Sequence, residues 1–426
     1  MRFALLAVTA LAIAAAGCGG GDGDDAAEPT SSATTTAATP RAAEPVLAVS
    51  SDAAGSRLAW VDGLTLEPVD GRTAALPFSA AVGALSPDDG AVAVGANEGG
   101  GVGIVDLARM RPLGTVETGG SFVHQLHWVR PGLLLAAVGG RSSQAVAIDP
   151  RARKVLAARD LGGTTLYAEE TESALVFLVA PAEGIGPARV VVFDGGPLRS
   201  AELTEARAGW EQAGDSAEDY RARQSVPGLA VDPSGARALV VPAGGRVAEV
   251  DLATMEVRYH DLAEPVSLLG RLRDWLEPAA HAKGIDGPDR NAVWLPSGLV
   301  AVSGNDYDQD GDDVDVTPAG LSLIDPDDWS VRRLSDEPGW ATFRDGALLA
   351  SAWKEGTDEQ TLIAFDPDGT LRFTLVREGA DLSQTHNGLL YATTSDGARF
   401  EIVDLETGKT VAEAQPKRET FLLYLD

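Results

Sequence analysis

Cysteine is nearly missing: the 426 residues contain one thiol. That excludes a disulfide framework and any zinc site built on cysteines. Basic residues are scarce too, 34 Lys and Arg against 63 Asp and Glu, for a formal net charge of −29. Such a surface repels phosphates, which argues against nucleic acid as a partner. There are five histidines, and no G-x-S-x-G elbow, Gly-Lys-Ser/Thr phosphate loop or H-E-x-x-H pair. No local motif therefore announces an enzyme, although scattered catalytic groups would leave no such mark. The 48 glycines follow no three-residue period, so collagen is out. What is present is 44% apolar residues, enough to bury a core despite the charge.

The chain divides into an address, a tether and a body. Met1-Arg2 is a minimal positive region, and Phe3 to Ala16 is an apolar run too short for a span of roughly 20 residues. It ends in Ala15-Ala16-Gly17-Cys18, which resembles the lipobox of bacterial lipoprotein signal peptides. Ala15 stands where Leu is usual. The resemblance implies cleavage before Cys18 and acylation of its thiol. Residues 1–17 are then a signal peptide and 18–45 an anchored linker of Gly, Asp, Ala, Ser, Thr and Pro. The expected location is the outer face of a bacterial cell membrane, held by lipid alone.

Residues 46–426 are repetitive. Two apolar residues and an Asp recur at Asp70, Asp106, Asp149, Asp194, Asp251, Asp325, Asp366 and Asp404. The intervals are 36, 43, 45, 57, 74, 41 and 38 residues. Most fall near a period of about 40, the length of a propeller blade, and the two long ones are a unit plus insertions. Each unit reads as four short strands, a to d, with Pro-Asp/Ser-Gly turns between alternating Val/Leu runs. The recurrent Asp is expected to accept backbone N–H groups of the c–d turn, as a structural residue.

The phrases Ser86-Pro-Asp-Asp-Gly90, Gly103-Ile-Val-Asp-Leu107 and Val403-Asp-Leu-Glu-Thr-Gly-Lys409 resemble YVTN/WD40-like propeller blades of exported bacterial proteins. The resemblance implies an all-β propeller of four-stranded blades. Eight blades are favoured and seven is the alternative, because the first unit, 47–78, is short. Thr420 to Asp426 is expected to close the ring against the first blade and cover two sheet edges. The 403–409 phrase lacks the following tryptophan of quinoprotein repeats, so a quinone cofactor is not implied.

Insertions 181–188, 205–224, 264–290, 304–319 and 353–360 all map to the b–c and d–a connections, hence to one face. Long loops on a rigid scaffold are where function concentrates. Leu268, Leu269, Leu272, Trp275 and Leu276 recur at helical spacing, which predicts a helix after Ser267. With Trp210, Tyr220, Arg221 and Arg223 they form a candidate partner-binding surface.

One acidic run carries metal chemistry. Asp306, Asp308, Asp310, Asp312, Asp313 and Asp315 contain D-x-D-x-D-G, similar to the calcium loops of EF-hands, dockerins and integrin-type propellers. The twelfth position is Thr317 where EF-hands carry Glu, so the expectation is a structural Ca²⁺ with an altered ligand set.

Two functions stand. The first is a lipid-anchored extracytoplasmic module that binds a protein or small ligand at the insertion face. The second is a metal-dependent hydrolase or lactonase using channel carboxylates with His124 or His386. Convergence of such groups around an ion is what the second requires.

Overall fold

The computed structural model describes residues 44–52, 55–140, 142–213, 221–262, 284–310, 313–353, 359–378, 380–394, 399–416 and 419–423. Its elements are all strands. They begin with β1 (Pro45–Asp52), β2 (Gly55–Asp62), β3 (Pro68–Leu76), β4 (Ala80–Leu85), β5 (Ala91–Ala96), β6 (Gly101–Asp106) and β7 (Arg111–Glu117). Then come β8 (Phe122–Arg130), β9 (Leu133–Gly139), β10 (Gln144–Asp149), β11 (Lys154–Asp160), β12 (Gly163–Glu170), β13 (Leu175–Pro181), β14 (Gly184–Phe193) and β15 (Arg199–Ala213). Next are β16 (Arg221–Ser225), β17 (Gly228–Val231), β18 (Arg237–Val241), β19 (Val247–Asp251), β20 (Val257–His260), β21 (Gly284–Trp294), β22 (Val300–Asp310) and β23 (Asp313–Pro318). The rest are β24 (Leu321–Ile324), β25 (Val331–Ser335), β26 (Trp340–Arg344), β27 (Ala347–Trp353), β28 (Glu359–Phe365) and β29 (Leu371–Glu378). Last come β30 (Ala380–His386), β31 (Leu389–Thr394), β32 (Phe400–Asp404), β33 (Thr410–Ala414) and β34 (Glu419–Leu422).

Hydrogen bonding groups them into six four-stranded sheets and one ten-stranded sheet. The latter joins two four-strand ladders, β12 to β15 and β21-β22-β24-β25, through β16. This is a β-propeller. Sequence explains the strand order. The b and c strands are covered on both faces and read as near-continuous apolar runs, as in Leu133 to Gly139, buried throughout. The d strands face solvent, as in β11, exposed along nearly its whole length. Each hydrophobic cluster draws on successive sheets. One joins Leu47, Leu58 and Leu76 to Val92 and Val105, and another joins Phe400 and Ile402 to Val46 and Val61.

The first sheet has the order β3-β2-β1-β34. The C-terminal strand therefore supplies strand a, and the first residues supply b, c and d. This accounts for the short first unit. β34 pairs antiparallel with β1, Leu422 opposite Ala48, and the N–H of Leu423 donates to the Leu47 carbonyl at 2.9 Å. The Leu423 side chain then lies against Gly83 of β4, where a Cβ would come within 2.5 Å of Leu423 Cδ2.

The c–d turns bear out the structural reading of aspartate. Asp106, Asp149, Asp194, Asp251, Asp325 and Asp404 each accept a turn N–H at 2.7–3.1 Å. Asp366 instead accepts Nε of Arg372 at 2.6 Å. One assignment is corrected. In the first blade the turn residue is Asp62, which accepts from Leu64 and Thr65 at 3.0 and 2.9 Å. Asp70 lies inside outer strand β3, where its carboxylate accepts the Arg72 N–H at 2.9 Å beside left-handed Gly71, a local kink in strand d and not the c–d turn. A further regularity accompanies these turns. The fourth residue after Asp62, Asp106, Asp149, Asp251 and Asp325 is Leu66, Met110, Arg153, Met255 or Trp329, each with φ between 45° and 63°. Backbone bonds such as Met255 N–H to the Asp251 carbonyl, 2.7 Å, hold that left-handed residue in place.

The insertions are also corrected. Residues 205–213 continue β15, 221–225 form β16, and 284–290 begin β21, so the described parts of these two insertions are strand where loops were expected. Residues 304–319 are mostly a hairpin of β22 and β23. Among the described residues there is no helix; the expected helix with Leu268, Leu272 and Trp275 lies outside them, as do Tyr220 and Cys18.

Truncating the closure should be costly. Leu422→Ala and Leu423→Ala remove buried side chains and should each lower unfolding free energy by about 2–4 kcal/mol in urea titrations. Exposed Leu371→Ala should change it by less than about 0.5 kcal/mol. Equal effects at the three positions would contradict the closure.

Candidate binding site

Antiparallel order fixes where each connection emerges. With strands a and c running one way and b and d the other, a–b and c–d turns share one end, and b–c and d–a connections share the opposite end. The second end is built up. β14 and β15 extend beyond their blade, with Gly184 opposite Trp210. β15 pairs with β16, and β16 pairs in parallel with the start of β21, Arg223 opposite Asp286. β21 pairs with β22, Gly287 opposite Tyr307, and β22 with β23, Tyr307 opposite Val316. A continuous ribbon sheet thus links the β12–β15 ladder to the β21–β25 ladder at this end.

Cross-strand partners share a face and alternate residues switch faces. Trp210, Gln224, Tyr307 and Val316 therefore occupy one face of the ribbon. Glu211, Arg223, Asp306, Asp308, Asp315 and Thr317 occupy the other. The partner-binding candidates Trp210 and Arg223 are both exposed yet point to opposite faces, and Arg221 lies at the end of the same β16 strand. Tryptophans that were not singled out join this end. Trp340 opens β26 and Trp353 closes β27, and both are exposed. The base of the ribbon meets β26 through Asn305 Nδ2, which donates to the Gly339 carbonyl at 3.2 Å. Apart from Val316 on the ribbon, the other large apolar side chains most exposed to water, among them Leu113, Val155, Leu156, Leu371 and Val411, sit on outer d strands.

Where it is described, the acidic run is extended strand. Asp306, Asp308 and Asp310 face Thr317, Asp315 and Asp313 in an extended two-stranded ladder, and Asp312 falls outside the described residues. Asp306 is engaged by Arg290, whose guanidinium is buried and donates to it at 2.6 Å, and to the Asn305 and Asp289 carbonyls at 2.9 and 3.0 Å. Among the described residues no ion pair involves Asp308 or Asp315, and no group of three His, Cys, Asp or Glu side chains could hold a metal ion.

The inner strands carry a polar belt. Glu170 of β12 accepts Gln125 Nε2 at 2.6 Å and lies 2.7 Å from His127 Nδ1, both on β8. Tyr167, three residues earlier on β12, donates to the Arg290 carbonyl at 2.7 Å and reaches Asp289 Oδ1 at 3.3 Å, on β21. Blade strand β17 lies between them in sequence and is only 4 residues long, which lets β12 and β21 approach. Burial, then the Asp289 charge, raise the Tyr167 hydroxyl well above its ordinary value, and burial raises Asp289. Glu169 is pushed up to about 7 by burial, against the pull of Arg344 and with the repulsion of Glu170.

His127, not His124, makes the carboxylate contact. A bulge between Val123 and Gln125 displaces His124 from the alternation, and its ring packs edge-on against Phe122 at 4.2 Å. His386 contacts Asn387 at 2.9 Å, and burial lowers its pKa. No described contact joins His124 to His386. A sequence signal for the belt exists only as polar residues on predicted inner strands.

Glu169 gives a pH test. Its folded value lies above its unfolded value, so the folded state holds the proton more tightly. Stability is greatest below about pH 4.5 on this account and falls as pH rises towards 7. Glu169→Gln should flatten that slope and raise stability at pH 8 by roughly 1–3 kcal/mol, read by denaturant titration at several pH values. An unchanged slope would refute the assignment.

No family model matches this chain, and no curated protein does. Solved structures do. A dihydro-heme d1 dehydrogenase, NirN, in complex with DHE is 12% identical with a TM-score of 0.55, covering 91% of this chain and 77% of that one. AztD of Citrobacter koseri is 11% identical with a TM-score of 0.52, covering 89% and 96%. At these identities the likeness shows the fold, and this chain is a β-propeller.

Proposed function

We propose that the chain is an eight-bladed, lipid-anchored extracytoplasmic propeller that binds a protein partner or ligand at the ribbon-bearing end. One observation carries the reading: Trp210, Trp340 and Trp353, the tryptophans exposed among the described residues, all stand at that end. Exposed tryptophan is costly in water and is a preferred interface anchor. The polar belt stiffens the inner strands beneath it and keeps the scaffold fixed.

Deleting 205–224 or 284–290 would remove strands from the ladders, so point substitutions are the proper test. Trp340→Ala with Trp353→Ala should abolish crosslinked species formed by the full chain in native membranes, with the melting temperature unchanged. Leu156→Ala with Val411→Ala, on outer strands, should leave them intact. An identical crosslinking pattern in both pairs would sink the reading.

The anchor is tested separately. Cys18→Ser should move the protein from the membrane fraction to the soluble one. Retention in the membrane would refute lipidation.

A further inference from the structure

Among the described residues the ribbon ends in a strand paired on one side only. β23 pairs with β22, and among the described residues with no other strand. Its outer edge offers backbone N–H and C=O groups to water, a template for an added strand. The side chains beside that edge are acidic. Asp315 is exposed, its cross-strand neighbour Asp308 is exposed, and neither is in a described ion pair. Val316 on the opposite face is also half exposed, at 50%.

We propose that this edge takes an extended basic peptide segment of the partner as an additional strand, a reading that rests on the binding end argued above. Strand addition would set alternate side chains of the guest beside Asp315, about 4.5–5.5 Å across the ladder, with Asp308 one strand further in at about 10 Å, within reach of a long basic side chain. Lysine or arginine there gains charge pairing as well as main-chain hydrogen bonds. The remaining alternate positions meet Val316, with Tyr307 one strand further in, so the guest alternates basic with small or apolar residues. A second copy of this chain is the wrong occupant. Its own β23 would bring more carboxylates against the same two, and like charges directly opposite are destabilising. Pro318 lacks an N–H and limits pairing to the part of the strand before it.

The test uses the full chain in EDTA and a short labelled peptide of alternating Lys and Thr, read by fluorescence anisotropy. Asp308→Asn with Asp315→Asn should weaken binding about fivefold to tenfold. Glu413→Gln with Asp327→Asn removes the same charge from exposed sites elsewhere and should change it less than about twofold. The same peptide N-methylated at alternate amides keeps its charge, loses edge hydrogen bonds, and should bind at least about tenfold more weakly. Equal weakening by both variant pairs would mean general attraction to an acidic protein and would overturn the proposal. Equal binding of the N-methylated peptide would overturn it too. Peptide binding that follows this pattern while the tryptophan pair leaves membrane crosslinking unchanged would sink the broader reading alone. The converse would sink only the edge.

Discussion

A blade needs four strands, and the first blade receives only three from the chain's beginning. Everything else in the ring depends on the fourth arriving from the far end. Without β34, β1 would carry an open edge on its inner side, and the interface between the last and first sheets would lose the strand that fills it. The contact is as non-local as the chain allows, so its formation fixes the whole ring and not one hairpin. Leu423 adds a steric lock. Its side chain fills the space that any residue larger than glycine at position 83 would need. The last described strand is thereby fastened to two blades at once.

The repeat was legible because its turns are built from local chemistry. An aspartate accepting the N–H groups two and three residues on leaves the same mark wherever it occurs, at Asp149, Asp251 and Asp404 alike. Asp70 shows the limit. Val69-Asp70 has the right residue types, but the hydrogen-bond ladder makes Val61-Asp62 the end of strand c. The left-handed position four residues later was invisible. Leu66, Met110, Arg153, Met255 and Trp329 share no side-chain chemistry, because the backbone ring of the turn imposes the conformation.

The insertion-bearing end was legible in position and misread in form. Counting connections placed the insertions at one end, which geometry upholds. Their pairing could not be read, since β16 and β21 meet across some 60 residues of chain. Alternating carboxylates are compatible with a loop wrapped round a cation and with a strand of period two. The register of Asp308 against Asp315 makes this one a strand. The inner belt failed for a related reason. Tyr167 with Asp289, and Glu169 with Arg344, join inner strands far apart in sequence, and nothing local marks the meeting.

The large negative charge is not spread evenly in its consequences. Turn carboxylates such as Asp106 and Asp251 are held below their ordinary range, the first by Arg109 and the second by the Thr254 N–H, so their charge is satisfied where it stands. Inner carboxylates are met by Gln125, His127 and Arg344 or hold their protons, as Glu169 does near neutrality. Asp306 is cancelled by Arg290. Asp308 and Asp315 are different. They project on a two-stranded ribbon beyond the body of the sheets, on the face opposite Trp210, without a described counter-charge. Charge that is answered internally says nothing about partners. Charge left unanswered beside an open strand edge selects the sign of what can bind there.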